Sequence, residues 1–114
     1  MAKFMLILGG ADLDKRSGNP AYYGPILERY MAWVRTLADA GYLVGSYKLH
    51  DQIGARLTVR GGEVVDGPYV ETKEAIGGIF VIEAASLEAA SALARDCPVL
   101  RLQSGFVEVR AVER

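Results

Sequence analysis

Ile79-Phe80-Val81-Ile82-Glu83 is a short apolar run, and Ser86-Leu87-Glu88-Ala89-Ala90 opens a helix directly behind it. A run of that length bounded by Gly77-Gly78 predicts a buried strand. Ser86 offers an N-cap hydroxyl, and Glu88 falls in the first turn, where the helix dipole favours an acid. Leu87, Ala90, Leu93, Ala94 and Cys97 recur at helical spacing and are expected to face inward. Pro98 ends that helix. Residues 106–112, preceded by Gly105, predict one more strand, so this part of the chain reads strand, helix, strand.

The same order stands upstream. Phe4-Met5-Leu6-Ile7-Leu8 predicts a buried strand that stops at Gly9-Gly10, and residues 11–19 read as a polar loop. Asn19-Pro20 is a helix-start pair. Ile26, Leu27, Tyr30, Trp33, Val34, Leu37 and Ala38 then trace an apolar helical stripe, with regular helix expected from about Pro25. Gly41 supplies the stop. Residues 42–49 predict a strand, followed by a polar bend at His50-Asp51-Gln52. Residues 55–60 alternate with period two, Gly61-Gly62 forms a two-residue turn, and Glu63-Val64-Val65 returns along it as a hairpin.

The order is β-α-β-(β-β hairpin)-β-α-β. It predicts an α+β domain of residues 1–114, a ferredoxin-like βαββαβ arrangement with an added hairpin on a small mixed sheet. The two helices cover one face. Alternation assigns Val107, Val109, Ala111, Phe80, Ile82, Leu57 and Val59 to the covered side. Phe106, Glu108, Arg110, Ile79, Val81, Glu83, Arg56, Thr58 and Arg60 are left on the open side. An open face of that mixture is too apolar for water and too charged for a core. Stacking it on the same face of a second chain hides the apolar part, so a homodimer is expected.

Composition narrows the classes of function. A formal net charge of −1 gives no basic footprint for nucleic acid. One cysteine, Cys97, leaves no internal disulfide or cysteine cluster, and one histidine, His50, leaves no multi-histidine metal site. The apolar run at residues 4–8 is too short for a signal segment or a membrane span. A cytoplasmic protein without metal or organic cofactor, and without a membrane partner, is the resulting expectation.

Asp66-Gly67-Pro68-Tyr69-Val70-Glu71-Thr72-Lys73-Glu74, followed by Gly77-Gly78-Ile79-Phe80, resembles the signature of the DGPF proteins, a branch of the YCII-related family. Phe4-Met5-Leu6-Ile7, the stretch from Leu87-Glu88-Ala89-Ala90 to Ala94-Arg95-Asp96-Cys97-Pro98, and Val107-Glu108-Val109-Arg110 carry the same resemblance, with Tyr69 standing where Phe is usual. It implies the dimeric α/β-barrel form of the ferredoxin-like fold. For function it implies either small-molecule enzymes or proteins associated with extracytoplasmic-function sigma factors. The histidine–aspartate pair proposed for YCII-type members, with its histidine early in the first helix, is not carried over. The corresponding Pro20-Ala21-Tyr22-Tyr23 holds no histidine.

Each candidate residue has a plain reading beside its chemical one. Asp66-Gly67-Pro68 suits a turn; chemically, Asp66 would be a general base at a pocket mouth. Glu71, Lys73 and Glu74 suit a solvated loop; chemically, Lys73 would bind an anionic substrate. His50 reads as an exposed loop histidine, or as an acid–base group oriented by Asp66 or Asp51. Arg60, Glu108 and Arg110 form either an interface charge network or a substrate-binding set. Tyr22 and Tyr23 either cover a helix end or, with Tyr69, offer hydroxyls to a ligand. Cys97 reads as a packed core residue. Two functions follow: a cofactor-independent enzyme doing acid–base chemistry on a small polar or aromatic molecule, or a ligand-binding or regulatory module acting through a sigma-factor partner.

Overall fold

The computed structural model describes residues 1–10, 20–49, 54–67, 76–102 and 104–113, with backbone alone for residues 20–23. Along the chain come β1 (Ala2–Gly9), α1 (Pro20–Asp39), β2 (Leu43–Lys48), β3 (Leu57–Arg60), β4 (Glu63–Asp66) and β5 (Ile76–Ala84). Then follow α2 (Leu87–Ala94), a 3₁₀ turn (Pro98–Arg101) and β6 (Phe106–Ala111). Four strands form one sheet in the order β2-β5-β1-β6. All its pairings are antiparallel, not mixed as the sequence suggests. Each helix joins strands that are not neighbours: α1 leads from β1 to β2 with β5 between them, and α2 leads from β5 to β6 with β1 between them. These interleaved β-α-β units are compatible with the ferredoxin-like arrangement.

Strand alternation builds the core. Phe4, Leu6 and Leu8 on β1 and Phe80, Ile82 and Ala84 on β5 are all buried against the helices. The register sets Leu6 between Phe80 and Val109, and Phe4 beside Ile82. Leu6 and Ile82 are wholly buried, each worth about 1.5–3 kcal/mol relative to exposure. From above, α1 contributes Trp33 and Leu37, and α2 contributes Ala90 and Ala94. Trp33 stands edge-on to Phe80 with ring centroids 4.9 Å apart. Ser86 caps α2 as expected, its hydroxyl accepting the Ala89 amide at 3.1 Å. The Gly61-Gly62 turn has φ of 61° and 83°, the left-handed pair that a two-residue hairpin requires.

Several expectations are corrected. Regular helix begins at Pro20, not near Pro25. Pro25 lies inside α1; its fixed φ is helical, but it lacks the donor for one intrahelical bond and its ring crowds the carbonyl one turn earlier. On α1 the side chains against the core are Tyr30, Trp33, Val34 and Leu37, while Leu27 and Ala38 are exposed. Leu87 is exposed too, since it is the first residue of α2 and lies beyond the end of β5 at Ala84. Ala111, at the end of the edge strand β6, is likewise exposed.

The largest correction concerns the hairpin. β3 and β4 pair only with each other and form a separate two-stranded sheet. Leu57 and Val59 therefore face solvent at 67% and 71% exposure instead of the core. Arg60 and Thr58 do not share the open face of the main sheet either. Alternation assigns residues to one side of a strand, but it does not say which sheet the strand joins.

Candidate functional site on the uncovered sheet face

Opposite the helices, the register lines up two rows of side chains. Arg110, Met5, Val81 and Gly45 form one row across β6, β1, β5 and β2; Glu108, Ile7, Ile79 and Tyr47 form the next. Met5, Ile7, Ile79 and Val81 make an apolar strip, half-buried by their neighbours alone. Charge borders it on the β6 side and Tyr47, 70% exposed, on the β2 side. Arg110 donates from Nη1 to Glu108 Oε2 at 3.1 Å across two residues of the same strand. Both groups are exposed, so in water the pair is worth only about 0–1 kcal/mol. Further along the same face Lys3 stands directly across from Glu83. The expected outward positions of Ile79, Val81, Glu83, Glu108 and Arg110 hold.

One end of this face gathers four connections. β1 ends there at Gly9, which lies opposite Phe106 at the start of β6 and Ile76 at the start of β5. Beyond the end of β2, the Leu49 amide donates to the Gly77 carbonyl at 2.9 Å. The residue after Leu49 is His50, and the signature residues 66–74 end two residues before Ile76. His50, Tyr69 and Lys73 themselves lie outside the described residues, as do Pro68, Glu71 and Glu74; of Tyr22 and Tyr23 the backbone alone is described.

The start of the signature is described. Gly67 has φ of 102° and its amide donates to the Arg56 carbonyl at 2.6 Å, while Thr58 Oγ1 donates to the Gly67 carbonyl at 3.4 Å. The positive φ is one that glycine adopts freely, and the bond to Arg56 continues the hairpin ladder. The expected Asp66-Gly67-Pro68 turn runs into Pro68, outside the described residues. Asp66 is exposed at the base of the hairpin, opposite Leu57. Arg60 is exposed at its tip, opposite Glu63. The two lie on the same hairpin but on opposite faces, because directly paired residues share a side and successive residues alternate. Glu108 is on the main sheet, with Arg110 as its partner. The described candidates thus fall into two places, not one cluster.

Met5, Ile7 and Tyr47 escape a reading from sequence. In Phe4-Met5-Leu6-Ile7-Leu8 every residue is apolar, so the run conceals which members face the helices. Cys97 is core, as expected: it is 1% exposed. Burial pushes its thiol up to about 11, against smaller opposing effects of hydrogen bonds with the Val99 backbone and the Tyr30 side chain. A thiol so placed is protonated at neutral pH and is no nucleophile. Among the described residues no group of three or more His, Cys, Asp or Glu is placed to hold a metal ion. No described helix is long and apolar enough to cross a membrane.

The sequence pattern of the YCII-related domain matches residues 23–114. The chain belongs to the YCII-related family. Within this YCII-related chain the match runs from α1 through β6 and includes the hairpin, the signature residues and Glu108–Arg110. A stretch of 47 residues is 45% identical to an uncharacterized protein of Rhizobium meliloti (strain 1021), covering 41% of this chain and 38% of that protein. The match therefore spans well under half of the relative's length.

Proposed function

We propose that this YCII-related chain pairs through its uncovered sheet face into a dimeric α/β-barrel, and that the enclosed space is a cofactor-independent acid–base site for a small polar or aromatic molecule. The observation that carries the reading is the composition of that face: an apolar strip of Met5, Ile7, Ile79 and Val81 bordered by Glu108–Arg110 and Tyr47. An apolar wall with a few convergent polar groups is the usual make-up of a small-molecule site. Enclosure would strengthen the Glu108–Arg110 pair, since charges interact more strongly away from water. Arg110 and Lys73 are then the groups for an anionic substituent, and Asp66 or His50 the groups for proton transfer, with Tyr23 and Tyr69 as hydroxyl donors. Assignment to the DGPF branch rests on residues 66–74.

The test is a metabolite-library thermal-shift screen of wild type beside Asp66→Ala, Lys73→Ala and Arg110→Ala, followed by product analysis of each hit. A compound that raises the wild-type melting temperature, fails on the variants and is converted supports the reading, since binding stabilises by mass action. Stabilisation without conversion favours a ligand-binding module, the form in which a sigma-factor partner would enter. Equal stabilisation of all four proteins contradicts the site.

A further inference from the structure

We propose that the β3–β4 hairpin is an arm whose apolar face docks on a second copy of this chain. Cross-strand pairing puts Leu57, Val59 and Val64 on one side of the hairpin, with Asp66 at its base. These three side chains are 67%, 71% and 69% exposed. Among the described elements, each strand of the hairpin packs chiefly against the other, without a substantial contact to any third element. An isolated two-stranded hairpin is at best marginally stable in water, so one with three uncovered large apolar residues calls for a surface to lie on. The shape agrees: the Cα radius of gyration is 15.7 Å and the principal extents are 48 × 42 × 19 Å, flatter than a compact chain of about this length, for which roughly 13 Å is usual.

A second copy is the occupant the observations favour. The chain already carries an uncovered apolar counter-surface in Met5, Ile7, Ile79 and Val81, edged by Tyr47. β2 and β5, the strands on either side of the hairpin in sequence, are adjacent in the sheet and form its Tyr47 side, so the arm springs from the margin of that surface. A two-fold pairing of the sheet faces would carry each arm to the equivalent margin of its partner and cover both apolar areas at once. The surface carries both signs side by side, in Glu108–Arg110 and in Lys3 across from Glu83, as a self-complementary face requires. A net charge of −1 sets little repulsion between copies. This inference rests on the sheet-face dimer proposed above and adds a second element to its interface.

The test uses sedimentation velocity on the full chain as wild type, as the hairpin variant Val59→Lys/Val64→Lys and as the sheet-face variant Ile79→Lys. Circular dichroism confirms that each is folded; the hairpin variant is expected to fold, because the arm lies outside the chain's own core. The expected result is a dimeric wild type, a monomeric sheet-face variant and a hairpin variant whose dimer dissociation constant rises by about tenfold or more, as loss of anchor side chains gives. An unchanged constant in the hairpin variant, beside a monomeric sheet-face variant, overturns the arm and leaves the dimer. A weakened hairpin variant with an unaffected sheet-face variant overturns the sheet-face pairing instead. A monomeric wild type overturns both. Hydrogen exchange in wild type gives a second readout: protection of the β3 and β4 amides must rise with protein concentration, and concentration-independent exchange contradicts docking.

Discussion

Trp33 donates its indole N–H to the Leu93 carbonyl at 3.1 Å, so a side chain of α1 is bonded to the backbone of α2 above the centre of the sheet. The same ring stands edge-on to Phe80 beneath it and to Tyr30 beside it. One residue thus joins both helices to the central strand β5. Trp33→Phe removes the hydrogen bond and part of the ring, and is expected to cost about 1–3 kcal/mol, the penalty of a lost donor in a part-buried site together with reduced packing. Trp33→Ala is expected to cost about 3–5 kcal/mol. Urea unfolding of the two variants checks the order and the spacing.

The turn into β6 makes two neighbouring residues respond in opposite directions. A Cβ on Gly105 would lie 1.9 Å from the Val99 carbonyl oxygen, a backbone atom of the 3₁₀ turn. Gly105→Ala is therefore expected to destabilise by about 1–3 kcal/mol or more, since the strand or the turn must shift. Ser104, next to it, holds φ of 64° without being glycine. Ser104→Gly is expected to stabilise by roughly 0.5–1 kcal/mol, the relief of left-handed strain less the extra entropy of a glycine. Melting temperatures of the two variants should move apart from wild type, one down and one up.

Cys97 predicts an alkaline limit. Burial raises its thiol from 9.0 in the unfolded chain to about 11 in the fold. The folded state therefore holds the proton more tightly, and this contribution is complete below about pH 9 and is lost as pH rises through 11. Its size is roughly 3 kcal/mol. The informative quantity is the difference between wild type and Cys97→Ala, which isolates the contribution of this thiol. Wild type should lose more stability between pH 9 and pH 11 than the variant does, read by urea unfolding at each pH. The thiol should also resist iodoacetamide at neutral pH until the chain is unfolded.

Glu108 and Arg110 separate structural cost from functional cost. Their ion pair is exposed in the single chain, so Arg110→Ala is expected to change the stability of the monomer by no more than about 1 kcal/mol. In the enclosed site proposed for the dimer, the same change should abolish a ligand-induced thermal shift. A variant that melts like wild type and binds ligand like wild type removes Arg110 from the site.

Much of the fold is legible in sequence because its elements are long and periodic. Both helices, the Ser86 cap, the Gly61-Gly62 turn and the outward row of Ile79, Val81, Glu83, Glu108 and Arg110 follow from spacing and residue type. The hairpin is misjudged for a physical reason: Leu57, Val59 and Val64 alternate like core residues, yet they are exposed and no other described element packs substantially on their strands. Met5 and Ile7 are hidden by a run apolar on both sides. The close approach at Gly105 depends on a contact with Val99, which local sequence does not encode. Of the expected set of Arg60, Glu108 and Arg110, the last two do share the open face, whereas Arg60 lies on the hairpin, on the face opposite Asp66.

Pairing through the uncovered sheet face is tested most directly by the solution mass of wild type and of Val81→Lys, measured by light scattering after size exclusion. Val81 lies in the middle of the apolar strip, between Met5 and Gly45, so a lysine there would place a charge in the interface at little cost to the core on the other face. Wild type is expected at twice the chain mass of 12.3 kDa and the folded variant at that single mass. A wild type at the mass of one chain throughout the accessible concentration range, or a Val81→Lys dimer as tight as wild type, would contradict the pairing.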